Sequence, residues 1–407
     1  MSFFTSLAAK IAIPIILLVM GAGFFLWKGM GGEQPVQQPP LRNHPAQADA
    51  SVNLVSATPQ TFTAAAGLTL DAGTPDKVSG VTPKVPENPK PSGTPKILET
   101  KTEASSGPFA FNPAWRDAVV NLFCDNRYGG VDDSVSGSGV IIDPRGIILT
   151  NAHMGWLFLF SSYPDPSIFK CFVRVGSPAQ LRYTAELLYI PQKWVNDDAG
   201  AFGKNLSYDE RAYGVSDYAL LYITGTYNPQ IALPTSFPYL PFGVGALPLK
   251  GSSTYIVGYP ASFMGSISLL MNLSQLVSPA IVDSLRSVKN STTLDILAFK
   301  GNIVAQHGSS GGAVIAGGGK FVAIPAFFDK GGQGASTADA VINAITVDYV
   351  SRDLKANTGF SLEEFIARDT PQAISNTFMK EEAPALRSLY INTWKKERNI
   401  AIPGIAY

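Results

Sequence analysis

The residues best suited to chemistry stand at Gln306-His307-Gly308-Ser309-Ser310-Gly311-Gly312, ahead of the apolar run Ala313-Val314-Ile315. Without a Cβ, glycine lets the backbone turn sharply and lets a reacting carbonyl come close. Such a loop can aim two backbone N–H groups, those of Gly308 and Ser310, at a developing oxyanion. A serine hydroxyl is a weak nucleophile by itself and needs a base within hydrogen-bond reach. Ser309 offers a second hydroxyl, but the two glycines that follow single out Ser310. The rest of the chain must supply the base and a group that orients it.

The loop also fits the G-x-S-x-G pattern of the α/β-hydrolase nucleophile elbow, which needs its histidine after the serine in chain order. No histidine follows His307, so that arrangement is excluded. Of the other two histidines, His44 lies in a proline-rich segment, and His153 closes Thr150-Asn151-Ala152-His153-Met154. His153 directly follows the strand signal Ile147–Thr150, so it is expected to be held by a sheet yet exposed at its end. Asp217 opens the apolar run Asp217–Ile223 and is the candidate orienting acid. Asp197, Asp198 and Asp209 are rivals.

The elements that must position these groups read as short apolar segments separated by turn residues, the pattern of a sandwich or barrel. Expected strands are Ala118–Cys124, Ser138–Asp143, Ile147–Thr150, Cys171–Val175, Ala185–Ile190, Asp217–Ile223, Ser253–Gly258, Ser278–Val282, Leu294–Phe299, Ala313–Ile315 and Phe321–Ile324, the last limited by Pro325. Residues 191–216 read as a polar insertion and 224–243 as a proline-rich connection between two β domains. From Asp339 the pattern is an irregular approach into a helix over 347–355. A second helix is expected over 381–396, with Leu386, Leu389, Tyr390 and Trp394 on one face.

The 407-residue chain is 45% hydrophobic and 15% charged, with 31 Lys+Arg against 31 Asp+Glu. That balance leaves no electrostatic footprint for nucleic acid. Cys124 and Cys171 lie on neighbouring expected strands and form either one disulfide or two buried thiols; without paired C-x-x-C spacing they make no zinc site. No metal or cofactor is expected. The uncharged run 11–27, bounded by Lys10 and Lys28, is at the lower length limit for a membrane span. It reads as an anchor in preference to a cleaved signal, because Phe24-Phe25-Leu26-Trp27 continue the apolar run past the small residues Gly21-Ala22-Gly23. Eleven prolines fall within 31–107, and large apolar residues are sparse there, so a disordered linker is expected. The expected organisation is an anchor over 1–30, a linker over 31–107, a folded domain over 108–356 and a short helical extension over 357–407. The large C-terminal part is placed outside the cytoplasm.

His153, Asp217 and Ser310 thus follow one another in the order His, Asp, Ser. The segments SGSGVIIDPRGIILTNAHM, DYALLYI, STYIVGYP and HGSSGGAVI, in that order, resemble a trypsin-like serine protease of the HtrA/Deg type, and AITVDYVSRDL resembles the end of its protease domain. The resemblance covers about residues 110–356. It implies an all-β fold of two six-stranded antiparallel β-barrels with the active site between them, acting on polypeptide substrates. Ser310 is implied as nucleophile, His153 as general base, Asp217 as orienting acid, and the N–H groups of Gly308 and Ser310 as oxyanion hole. Val304, His307, Ile324 and Phe327 would fall at the substrate pocket, whose apolar walls imply small or apolar residues before the cleaved bond. The sequence departs from HtrA with Ser309 where asparagine is usual and His307 where proline is usual. The roughly 50 residues after Gly359 are too few for a PDZ domain, so peptide-sensing regulation is not expected, and an oligomer remains open.

Overall fold

The computed structural model describes residues 108–126, 133–165, 169–203, 216–261, 266–288, 292–302, 304, 307–329 and 341–398. The expected anchor over 1–30, the linker over 31–107 and the rival acid Asp209 lie outside the described residues. Among those described, no helix is long and apolar enough to cross a membrane.

Six strands form a closed antiparallel barrel in the order β1-β2-β3-β6-β5-β4: β1 (Val119–Asn126), β2 (Asp133–Asp143), β3 (Ile147–Thr150), β4 (Phe169–Val175), β5 (Gln180–Tyr189) and β6 (Ala219–Thr226). The expected second barrel of six strands is instead a seven-stranded sheet, ordered β8-β7-β11-β12-β13-β10-β9. Its strands are β7 (Ser253–Gly258), β8 (Leu276–Ile281), β9 (Ser284–Arg286), β10 (Ile296–Lys300), β11 (Ala313–Ala316), β12 (Lys320–Asp329) and β13 (Val341–Thr346). The extra strand arises from a corner. Only Val282 and Asp283 separate the two edge strands β8 and β9, and their N–H groups donate to Ser252 O and Ala298 O, beside opposite neighbours. One run of chain therefore pairs with β7 before the corner and with β10 after it.

Two further expectations are corrected. Pro325 does not end β12, because the ladder bulges between Pro325 and Phe327 and resumes to Asp329. A bulge is one of the few places where a strand tolerates a residue without an N–H. Residues 341–346 are no irregular approach but the strand β13, buried on both faces.

The helices are α1 (Ala152–Gly155), α2 (Gln192–Gly203), α3 (Ser266–Asn272), α4 (Val347–Thr358), α5 (Leu362–Ala367), α6 (Pro371–Glu381) and α7 (Ala383–Arg398). The supposed polar insertion over 191–216 thus holds a helix, with Trp194, Val195 and Ala199 packed in the core. Three of the C-terminal helices start on a side chain that satisfies a free N–H. Thr346 caps α4, Ser361 and Glu364 form a capping box on α5, and Thr370 caps α6 with Pro371 at its first position.

Side-chain alternation along a strand explains how the two sheets pack. On β3, Ile148 faces the barrel interior among Val120, Leu122 and Leu221, while Ile147 and Leu149 face the second sheet. On β11, Val314 faces its own sheet's interior, while Ala313 and Ile315 join the shared core. Val350, Leu354 and Phe365 complete that shared core. Cys124 and Cys171, directly opposite on β1 and β4, are joined by a disulfide.

Candidate active site

His153 lies on α1, one turn beyond the end of β3. Its exposure is corrected by the structure: it is only 4% accessible, and Asp217 beside it is 0%. Turning into a helix directly after β3 folds the imidazole back against the barrel instead of leaving it at the sheet's rim. His153 Nδ1 lies 2.9 Å from Asp217 Oδ2, and the His153 backbone N–H donates to Asp217 Oδ1 at 2.9 Å. The carboxylate thus grips both the ring and the backbone of one residue. Asn151 Nδ2 donates to the Asp217 carbonyl at 3.0 Å, so the residue opening the helical turn is tied to the same segment.

Two of the rival acids are committed elsewhere. Asp197 pairs with Lys193, and Asp198 accepts from Tyr390 Oη at 2.7 Å.

Ser310 follows Gly308 and Ser309 into the turn that leads to β11, and is 8% accessible. Two glycines give this loop its path. Gly308 has φ 97° and Gly311 φ 79°, in the left-handed region that disfavours other residues. A Cβ at Gly308 would meet the Tyr259 carbonyl at 2.5 Å, and one at Gly311 would meet Ser138 O and Thr150 Oγ1. Gly311 is therefore pressed against Thr150, three residues before His153. The Ala261 N–H holds the His307 carbonyl at 2.7 Å. Because the peptide is trans, this directs the Gly308 N–H to the opposite side.

Ser138 opens an expected strand and carries no chemical role in sequence, yet it stitches the two halves together. Its N–H donates to Ser310 O at 2.8 Å, and its hydroxyl donates to Gly308 O at 2.7 Å and accepts from Tyr259 N at 2.9 Å. Thr150 Oγ1 donates to the Ser138 carbonyl at 2.8 Å. A hydrogen-bonded path thus runs from the Ser310 carbonyl to the segment carrying His153. The flanking Gly137 and Gly139 are the sequence signal for a serine in close quarters. Tyr259 spans the same seam, donating to Gly176 O at 3.0 Å, and burial pushes its phenol up to about 12, so it remains a donor.

The expected pocket residues fall in different places. Val304 and Ile324 are fully buried in separate clusters, so neither offers surface to a substrate. His307 is exposed, and Phe327 lies on β12 opposite Asn343, its side chain outside what is described. A cavity of about 550 Å³ lined by Lys250, Ile281, Asp283, Lys300 and Asn302 includes none of them.

Residues 137–324 match the family model of the trypsin-like peptidase domain. The match takes in His153, Asp217 and Ser310, and with the barrel fold it supports a trypsin-like serine protease. The second sheet continues past the matched residues through β13, which leads into α4. No curated protein matches the chain.

Proposed function

We propose that the chain is a membrane-anchored serine endopeptidase of the HtrA type that hydrolyses unfolded or exposed polypeptide outside the cytoplasm. The observation carrying this reading is the buried His153–Asp217 pair, joined through Thr150 and Ser138 to the Gly308–Gly312 loop. In this reading Ser310 Oγ attacks the scissile carbonyl while His153 takes its proton. The carbonyl oxygen gains the charge that the Gly308 and Ser310 N–H groups stabilise. Losing one such donor costs about 10²–10³ in turnover. His153 then delivers its proton to the leaving amine, and water repeats the sequence on the acyl-enzyme. Asp217 holds the imidazole orientation and stabilises the imidazolium.

Residues 11–27 supply the anchor in this reading, and the extracytoplasmic placement agrees with the Cys124–Cys171 disulfide, which forms in oxidising compartments. The test is digestion of denatured casein by the full-length chain in membranes, beside Ser310→Ala. Peptide release lost in the variant is the expected result. Stable casein binding without release would point to a catalytically silent peptide-binding module.

A further inference from the structure

The residues on either side of Asp217 are both tied to a single carboxylate distant in sequence. Ser216 Oγ donates to Asp353 Oδ1 at 3.2 Å, and Tyr218 Oη donates to Asp353 Oδ2 at 2.9 Å. The Ser216 N–H donates to Tyr349 Oη at 3.0 Å, and the Tyr349 hydroxyl faces Asp353 Oδ1 at 3.5 Å. Asp353 and Tyr349 lie one turn apart on α4, which is anchored in the core between the sheets. Ser216 has φ 57°, a left-handed conformation that persists only where its surroundings over-determine it. Tyr218 is fully buried, and burial together with the neighbouring Tyr189 and Asp353 pushes its phenol far above the usual range. It therefore stays a hydrogen-bond donor.

We propose that Asp353 is a positioning residue for Asp217, gripping Ser216 and Tyr218 so that the carboxylate between them meets His153. The proposal rests on the serine-peptidase reading. Asp353 bonds the residues on both sides of Asp217. Its effect on chemistry passes through the direction in which Asp217 projects. The grip also explains why a strained serine is kept next to the acid: the left-handed turn at Ser216 exposes its N–H to Tyr349 and its hydroxyl to Asp353.

The test measures labelling kinetics of the full-length chain with a fluorophosphonate, separating the maximal rate from the probe's half-saturating concentration. Asp353→Ala is expected to lower the maximal rate about 10-fold and leave half-saturation unchanged, since misplacement costs reactivity more than binding. On an Asp217→Asn background the same substitution is expected to cost nothing further, because the residue through which it acts is already disabled. Tyr218→Phe, which removes one hydroxyl and one anchor, is expected to lower the rate about 3-fold and carries the test if Asp353→Ala fails to fold. Equal losses in both backgrounds, an unchanged rate, or a change confined to half-saturation would overturn the proposal. A wild-type chain that takes up no probe would overturn the serine-peptidase reading, and the role of Asp353 with it. A labelled wild type with an indifferent Asp353→Ala would overturn this proposal alone.

Discussion

In the first barrel the candidate base and acid are held by directed hydrogen bonds, whereas in the second sheet the candidate nucleophile is held by the shape of its backbone. His153 and Asp217 bond each other, Asn151 bonds the Asp217 carbonyl, and they sit at a closed barrel tied across β1 and β4 by a disulfide. The C-terminal helices reinforce that barrel. Tyr390 stacks on Trp156 at 4.7 Å, and Arg387 Nε donates to Leu159 O, both just beyond His153. Ser310 depends instead on two left-handed glycines and on Ser138, which reaches across from the first barrel. The contrast follows from what each group does. A base and an acid must keep a fixed hydrogen-bond line, which side-chain partners supply. The proposed oxyanion site needs backbone N–H groups turned outward, and the left-handed glycines let the loop take that path.

If this contrast holds, the first barrel should fail by losing a polar atom and the loop by gaining a carbon. The largest expected effect is Asp217→Asn, which should lower turnover about 10⁴-fold with a near-native fold, measured by probe labelling and circular dichroism. Next is the double substitution Cys124→Ser, Cys171→Ser. The bridge closes a loop with a sequence separation of 47, so its loss should cost about 3–4 kcal/mol in urea unfolding while leaving the site's chemistry intact in the folded fraction. Gly308→Ala should then lower turnover about 10²-fold by shifting one oxyanion donor, and should also lower the unfolding midpoint, because its Cβ would meet the Tyr259 carbonyl in a left-handed turn. A stable, fully active Gly308→Ala would break the comparison, since the loop would not depend on its backbone shape.

The smallest effect concerns the turn between β2 and β3. Burial raises the Asp143 carboxyl, but the Arg145 side-chain and backbone hydrogen bonds outweigh it and hold the carboxyl below its usual value. A lowered acid contributes stability above its unfolded value and loses it as pH falls through its folded value. Asp143→Asn should therefore cost about 0.5 kcal/mol near neutral pH and nothing at strongly acid pH, the small size reflecting a partly exposed pair. Urea unfolding at the two pH values checks the sign.

The parts of the fold legible in sequence are those with clear boundaries. The Ile147–Thr150 strand and the Ala313–Ala316 strand stood out because turn residues bound them. β13 did not, because it runs into α4 with no turn residue between Thr346 and Val347, so its apolar residues blend with those of the helix. The three candidate site residues could be picked out from local motifs, but their support could not. Ser138 lies more than 150 residues from the loop it holds, and Asp353 lies more than 130 from Ser216. No local pattern encodes such pairings. The burial of His153 was equally hidden, since it depends on a single helical turn after β3.

Everything proposed for this site depends on Ser310 being the hydroxyl that the joined halves activate. The most direct measurement treats the full-length chain with a fluorophosphonate and maps the adduct by peptide mass spectrometry. One adduct is expected, on Ser310, lost in Ser310→Ala and in His153→Ala. An adduct on Ser309 or elsewhere, or labelling that survives His153→Ala, would contradict the serine-peptidase reading.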